Sequence, residues 1–225
     1  NQDLSLWCVG SLNTGTQISQ NTYSATDFNT NGILDTSFYP KWGTCTTGIT
    51  TPTGAGTNSD PYLISTLGEL RWISQEANRW GLVYKQTANI NADPSINFNN
   101  GSGFKPIGST STAFTGKYDG QGFWIDDLHI KRSSSNEIGL FGYVSGAEIV
   151  NVRLHDASIF GGTRVGAFAG EVTGGSTIEN ITVLESMVVG NITVGGIIGR
   201  SSGTHSNNQH LNYLAFSGTV SGSLH

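Results

Sequence analysis

The sequence predicts an all-β solenoid with one short helix, and three observations carry that prediction. The first is a pattern written twice. IVNVRLHDASI from Ile149 to Ile159 with VGAFAG from Val165 to Gly170 returns as IENITVLESMV from Ile178 to Val188 with VGGIIG from Val194 to Gly199. Weaker copies flank it, IDDLHI (Ile125–Ile130) with IGLFG (Ile138–Gly142) upstream and LNYLAF (Leu211–Phe216) downstream. Setting Ile125, Ile149, Ile178 and Leu211 in register gives spacings of 24, 29 and 33 residues. A drifting period is what a solenoid shows when its turns absorb insertions. The second observation is the apolar pairs two apart, Leu128/Ile130, Val152/Leu154, Ile181/Val183 and Leu214/Phe216, the period-2 mark of strands with one buried face. The third is the recurring glycine-flanked segments GLFG, GAFAG and GGIIG, which suit a tightly wound strand approached closely by another backbone.

Composition bounds the function. Of 225 residues, 36% are hydrophobic, 31 are Gly and only 12% are charged, so the surface is largely Ser, Thr, Asn and Gly. A net charge of -5 with no basic patch argues against nucleic acid as partner, because phosphate binding needs clustered Lys and Arg. No stretch approaches the length of a membrane span. Asn1 begins directly in polar sequence, which reads as a mature form or a piece excised from a longer chain.

Residues 1–55 read as a small lobe and linker. Cys8 and Cys45 suggest a disulfide closing a loop of roughly 36 residues, worth about 3–4 kcal/mol if unstrained. The competing reading is two buried thiols or a metal pair, and a lone Cys pair without His makes a poor zinc site. Inside that loop lies DFNTNGILD. Asp27, Asn29, Asn31 and Asp35, with Gly32 at the turn and the Ile33 carbonyl available, have the alternate-residue spacing by which an acidic loop wraps calcium. This stretch resembles the calcium loops of thrombospondin type 3 repeats. It departs from an EF-hand at Phe38, where a bidentate Glu would stand. An Asx-rich turn is the plainer alternative. Trp7, Phe28, Phe38, Tyr39 and Trp42 supply apolar bulk for such a lobe, or a platform for stacking glycans. The run Thr46–Asp60 is rich in Thr, Gly and Pro and reads as a linker.

Residues 56–225 read as the solenoid. Thr66-Leu67-Gly68-Glu69 has capping-box form, and Leu67, Leu70, Ile73 and Ala77 recur at helical spacing until Trp80-Gly81. A helix there would cap the first coil, whose open strand edge otherwise recruits other chains. From Lys85 to Tyr118 strands alternate with long polar loops, and irregular loops on a rigid stack are where ligand contacts gather. Phe98, Asn99, Asn100 and Phe104, with Tyr39 and Trp42 from the lobe, are the ligand-contact candidates. Two residues after each leading apolar residue stand Asp127, Asn151, Asn180 and Tyr213, a column expected to form a buried ladder between coils. Leu211–Val220 supplies the first third of a further coil, and the C-terminal end reads as uncapped.

The repeats, with GTNSDPYLIST (Gly56–Thr66), FKPIG (Phe104–Gly108) and FTGKYDGQGFWIDDL (Phe114–Leu128) before them, resemble the GLUG repeat of secreted and surface-attached bacterial proteins. Phe123 departs from it, since the family often has His after DGxG. The resemblance implies a right-handed parallel β-helix on a secreted or cell-surface protein, and no particular reaction.

Chemistry is sparse. A polysaccharide-cleaving β-helix would draw on Asp126, Asp127, His129, Lys131, Arg132, Arg153, His155 and Asp156, with His129 beside Arg153. The next copy offers Thr182, Leu184 and Glu185 instead, so no carboxylate pair recurs across coils. HExxH, GxSxG and Walker patterns are absent. The threonines are too scattered for an ice-binding array. The sequence therefore reads as a non-enzymatic adhesin or binding module, calcium its cofactor, a surface glycan or protein its ligand. It would continue into, or dock on, further domains of a longer chain. A polysaccharide-active enzyme and a subunit of a surface fibre or pilus-like assembly are the alternatives.

Overall fold

The computed structural model describes residues 48–202 and 210–222, which form a parallel β-solenoid of about three turns with one helix. Cys8, Cys45, Asp27, Asn29, Asn31, Ile33, Asp35, Tyr39 and Trp42 lie outside the described residues. Strand β1 (Tyr62–Ile64) leads into helix α1 (Leu67–Gln75), then a 3-10 turn at Ala77–Arg79, β2 (Val83–Gln86) and β3 (Ile90–Asn91). The next coil carries β4 (Lys117–Asp119), β5 (Trp124–Asp126), β6 (His129–Lys131) and β7 (Phe141–Ser145). Another carries β8 (Glu148–Val150), β9 (Arg153–His155), β10 (Ser158–Phe160), β11 (Thr163–Val165) and β12 (Ala169–Thr173). In the third, one long β13 (Thr177–Val189) spans three strand positions before β14 (Ile192–Val194) and β15 (Ile198–Ser202). Strand β16 (His210–Ser221) pairs along β13 over the same three positions, where the sequence suggests only a third of a coil.

Every strand pairs in parallel with its equivalent one coil away, so the sequence becomes a set of columns. Tyr62, Tyr84, Tyr118, Ile149, Ile178 and Leu211 share one column. Ile90, Ile125, Leu154, Val183 and Phe216 share the next. This confirms the register of Ile149, Ile178 and Leu211 and corrects that of Ile125, which belongs one strand later. The cause is the turn after Tyr118. Gly120–Phe123 puts two more residues between Tyr118 and Ile125 than stand between Ile149 and Leu154, and the aliphatic repeat hides Tyr118 as their equivalent.

Three corners separate the strands, and each is turned by a residue in the left-handed region. The first has Asn151 and Asn180 at φ +57° and +55°, the second Asp127, Asp156 and Glu185 at +59°, +52° and +51°, the third Glu137, Arg164 and Thr193 at +52°, +59° and +50°. The predicted ladder exists at the first corner with different members. Asn180 Nδ2 donates to Asn151 Oδ1 at 3.0 Å, and Asn151 Nδ2 to Asp119 Oδ1 at 2.9 Å. Asp119 takes the place expected of Asp127, and the ladder runs along the outside, with Asn180 exposed.

Helix α1 starts as its capping box predicts. Glu69 N–H donates to Thr66 Oγ1, and Glu69 Oε2 accepts from the backbone of Ser65 and Thr66. Leu67, Leu70 and Ile73 face the core, while Ala77 is exposed beyond the end of the helix. Lys105 Nζ donates to the Gln75 carbonyl at 3.2 Å, a cation on the negative end of the helix. The segment read as linker is tied down from Thr50 onward: Thr53 bridges Leu63, and Thr50 N–H donates to the Gly68 carbonyl.

The core changes character along the stack. Tyr62, Tyr84, Phe114, Phe141 and Phe168 form a file of ring contacts with centroids 5.0–6.4 Å apart, and beyond it Ile178, Ile181, Val183 and Val188 fill the interior. Beside the file, against Tyr84 and Phe141, lies Tyr118; burial pushes its phenol far up from the ordinary range, and its hydroxyl donates to Gln86 Oε1 at 3.2 Å. The glycine segments stack on one another, as the sequence suggested. A Cβ on Gly166 would stand 2.5 Å from the carbonyl oxygens of both Ala169 and Ile197. Gly166→Ala should therefore lower stability by about 1–3 kcal/mol or more, because backbone on both sides has to yield. Gly146, with open space around its Cβ position but φ +65°, should lose only about 1 kcal/mol as Ala. Urea unfolding of the two variants measures the difference.

Candidate functional site

Two surface features bring chemistry-bearing side chains together. The first is the outward face at the second corner. Strand pairing sets Trp124 beside Arg153 and Asp126 beside His155. The Arg153 guanidinium lies 3.9 Å from the centre of the Trp124 ring, and its Nη1 donates to the Gly122 carbonyl at 3.4 Å. His155 faces three carboxylates: Nδ1 is 3.2 Å from Asp126 Oδ1 and 3.5 Å from Asp156 Oδ2, and Nε2 is 3.7 Å from Glu185 Oε2. His155, Asp156 and Glu185 each offer a ligating atom within 4.8 Å of the others. Burial first, then the charges of Asp156, Asp93 and Asp126, push the Asp127 carboxyl above its ordinary range, with His155 opposing. His129 sits elsewhere, paired with Ser158 in the third column, so the expected His129–Arg153 neighbourhood does not form. Both His155 nitrogens face carboxylates, from its own coil and from the coils on either side.

A second ionic group closes the third corner. Arg164 bonds Glu137, sits 2.9 Å from Glu171 through Nε, and links on to Arg200 and Ser202 through Glu171. The Glu137 hydrogen bond foremost, with the charges of both carboxylates, holds the guanidinium proton above its ordinary range despite the opposing cost of burial. Removing one member of such a network would strand buried charge.

The second feature is a cleft of about 380 Å³. One wall is the loop that follows Phe104, contributing Lys105, Pro106, Ser109, Ser111 and Thr112. The opposite wall is the segment before the third corner, with Arg132, Ser135, Asn136, Glu137 and Ile138. Ala77 and Trp80, just past the helix, close one end. Short hydrogen bonds shape the first wall: Ser109 N–H donates to the Thr112 carbonyl at 2.8 Å, Thr112 N–H donates back to the Ser109 carbonyl at 3.1 Å, and Ser109 and Ser111 hydroxyls meet at 2.9 Å. The second wall is a turn in which Ser135 N–H donates to the Arg132 carbonyl. Arg132 donates to the Phe104 and Gly103 carbonyls, and burial pulls its guanidinium below its ordinary range. Glu137, the one carboxylate in the lining, is occupied by Arg164.

Among the loop candidates, Phe98 and Phe104 are 3% and 0% exposed and belong to the core. Their spacing in a polar loop suggested contact with ligand, but they fill the interior beneath it. Asn99 and Asn100 are exposed at φ +51° and +55°, and Asn99 Nδ2 braces the loop by donating to the Gly103 carbonyl at 2.7 Å. Sequence reasoning missed Lys105 and the Ser109–Thr112 turn. Their only signal was a cation and a hydroxyl cluster inside the least regular stretch.

The chain is 41% identical over 153 residues to Halomucin of Haloquadratum walsbyi, a match spanning 65% of this chain and 2% of that protein. It is 30% identical over 135 residues to a putative Gly-rich membrane protein of Evansella cellulosilytica, spanning 58% of this chain and 15% of the relative. The chain thus spans a small part of the length of both. No family model matches it, and no solved structure does. Among the described residues no helix is long and apolar enough to cross a membrane.

The second corner gives a pH prediction. Because the folded pKa of Asp127 is raised, the folded chain holds that proton more tightly than the unfolded one, so stability falls as pH climbs from the unfolded value through the folded one. Asp127→Asn removes the ionised form while keeping a residue that tolerates the left-handed region. Its melting temperature should exceed that of the parent by more at about pH 7 than at about pH 3. Thermal unfolding at both values checks this, and an equal offset at both would refute it.

Proposed function

We propose that this chain is a non-enzymatic binding module of a cell-surface protein, with its ligand, a glycan, seated in the cleft between the Lys105–Thr112 and Arg132–Ile138 walls. The observation that carries the reading is the lining of that cleft. Hydroxyl, amide and cationic groups line it around Pro106 and Ile138, and such a mixture suits a polyhydroxylated ring with one apolar face. A catalytic pair for glycoside cleavage needs two available carboxyl groups flanking the bond. The single carboxylate in the lining is tied to Arg164.

Support for a surface setting comes from the names of the two relatives, a mucin-like one and a membrane protein, and from a chain only 12% charged. The scaffold in this reading is the right-handed β-helix implied by the GLUG-like repeats. Helix α1 caps it, since Leu67, Leu70, Ile73 and Trp80 join the same core cluster as the first coils. The Asp27–Asp35 loop, closed by a Cys8–Cys45 disulfide, adds a calcium site on the strength of its sequence spacing.

Two measurements test these parts. Glycan-array screening of the full chain should find saccharide ligands whose binding is weakened by Thr112→Trp, which fills the cleft. Incubation of those ligands with the chain should release no new reducing ends or unsaturated products. Binding indifferent to Thr112→Trp would overturn the site, and product release would replace the module with an enzyme. Calorimetric titration with calcium should show heat that Asp27→Ala abolishes, and no heat in the parent chain refutes the calcium site.

A further inference from the structure

The cleft is cationic in a chain that is acidic overall. The formal charge is -5, yet the charged residues of the lining are Lys105, Arg132 and a Glu137 already neutralised by Arg164. Neither Lys105 nor Arg132 has a carboxylate partner among the described residues. Lys105 donates to the Gln75 carbonyl, and Arg132 to the carbonyls of Phe104 and Gly103. Elsewhere the chain pairs its partly buried cations: Arg164 has two carboxylates, and Arg153 and Arg79 lie over the Trp124 and Trp72 rings. The carbonyl bonds at the cleft fix where the two charges stand without cancelling them. Both retain donors for an incoming group, because an ammonium offers three and a guanidinium five.

We propose that the cleft selects acidic saccharides, with the carboxylate or sulfate of the sugar received by Lys105 on one wall and Arg132 on the other. The proposal rests on the reading that the cleft binds a glycan and adds its chemical class. An oxyanion there would gain charge-assisted hydrogen bonds from both walls in a site partly withdrawn from water. The Ser109, Ser111, Thr112, Ser135 and Asn136 groups would meet the ring hydroxyls. That polar lining favours a sugar over an acidic peptide, whose backbone and aliphatic stems would leave the hydroxyls unanswered.

The test is titration of the full chain with tetragalacturonate, its methyl-esterified counterpart, a chondroitin sulfate tetrasaccharide and an oligoglutamate peptide. At least one acidic saccharide should bind roughly tenfold or more tighter than the ester, as expected for one charge-assisted contact. Chondroitin sulfate carries glucuronate carboxylates beside its sulfates, so its desulfated tetrasaccharide, titrated alongside, tells carboxylate from sulfate recognition. Lys105→Gln and Arg132→Gln should each remove most of that advantage, Arg132→Lys should keep part of it, and added salt should weaken it. Unchanged melting curves show that the variants remain folded, and Lys105→Gln carries the test if Arg132→Gln does not fold. Equal binding of acid and ester would overturn acid selection while leaving glycan binding intact, and loss of all saccharide binding would overturn both. Oligoglutamate binding as tightly as the sugar would overturn the saccharide assignment.

Discussion

Parallel, in-register pairing of each coil on the next is the constraint on which the rest of this structure depends. In such a stack a residue's neighbours above and below are its own equivalents, so each position must tolerate a copy of itself about 4.8 Å away. Apolar columns satisfy that condition by excluding water, and Asn or Asp does so at a corner by passing a hydrogen bond along the stack, as Asp119, Asn151 and Asn180 do. Glycine satisfies it where the winding leaves no room for a side chain. Gly139, Gly166 and Gly199 each have backbone atoms of a neighbouring segment where a Cβ would go.

The same constraint explains where polar groups are spent. In the regular coils they are consumed by equivalents: Glu137, Arg164, Glu171 and Arg200 satisfy one another across three coils, and His155 is ringed by acids from its own coil and both neighbours. The Lys105–Thr112 loop is paired with the next coil at Ile107, but its Ser109–Thr112 turn is an insertion, since Phe114 follows Ile107 by seven residues whereas their partners Phe141 and Val144 are three apart. Its ammonium and hydroxyls have no ladder to join, and they bond locally or to main-chain carbonyls. Capacity to bind an outside molecule therefore gathers where the repetition stops.

This division also sorts what was legible in the sequence. The solenoid was, because Ile149, Ile178 and Leu211 repeat one pattern at nearly one period, and the capping box at Thr66–Glu69 named the helix start. Tyr118 was not recognised as the next member of that column. An aromatic replaces the aliphatic there, and the Gly120–Phe123 turn lengthens the spacing, which also sent the ladder position to Asp127 rather than Asp119. Phe98 and Phe104 looked exposed because their neighbours are polar, whereas burial is decided by which face of the coil a residue occupies. The cleft was illegible for a different reason: Lys105 and Arg132 lie on different coils, and no periodic signal joins them.

A site assembled from successive coils inherits the precision of their register. The two walls of the cleft are linked by Ile107 pairing with Phe141, Phe114 pairing with Val144, and the Gly108–Gly142 approach between them. A slip of one residue in that pairing would exchange the inward and outward faces of the paired segment and displace one wall against the other, since alternate strand residues point to opposite sides. The aromatic file of Phe114, Phe141 and Phe168 lies directly beneath this pairing, and rings of that size lock the register more firmly than the small aliphatic residues of the later coils. Among the described residues, the large rings thus lie under an irregular stretch of surface, so a turn without repeat partners is still held to a fixed geometry.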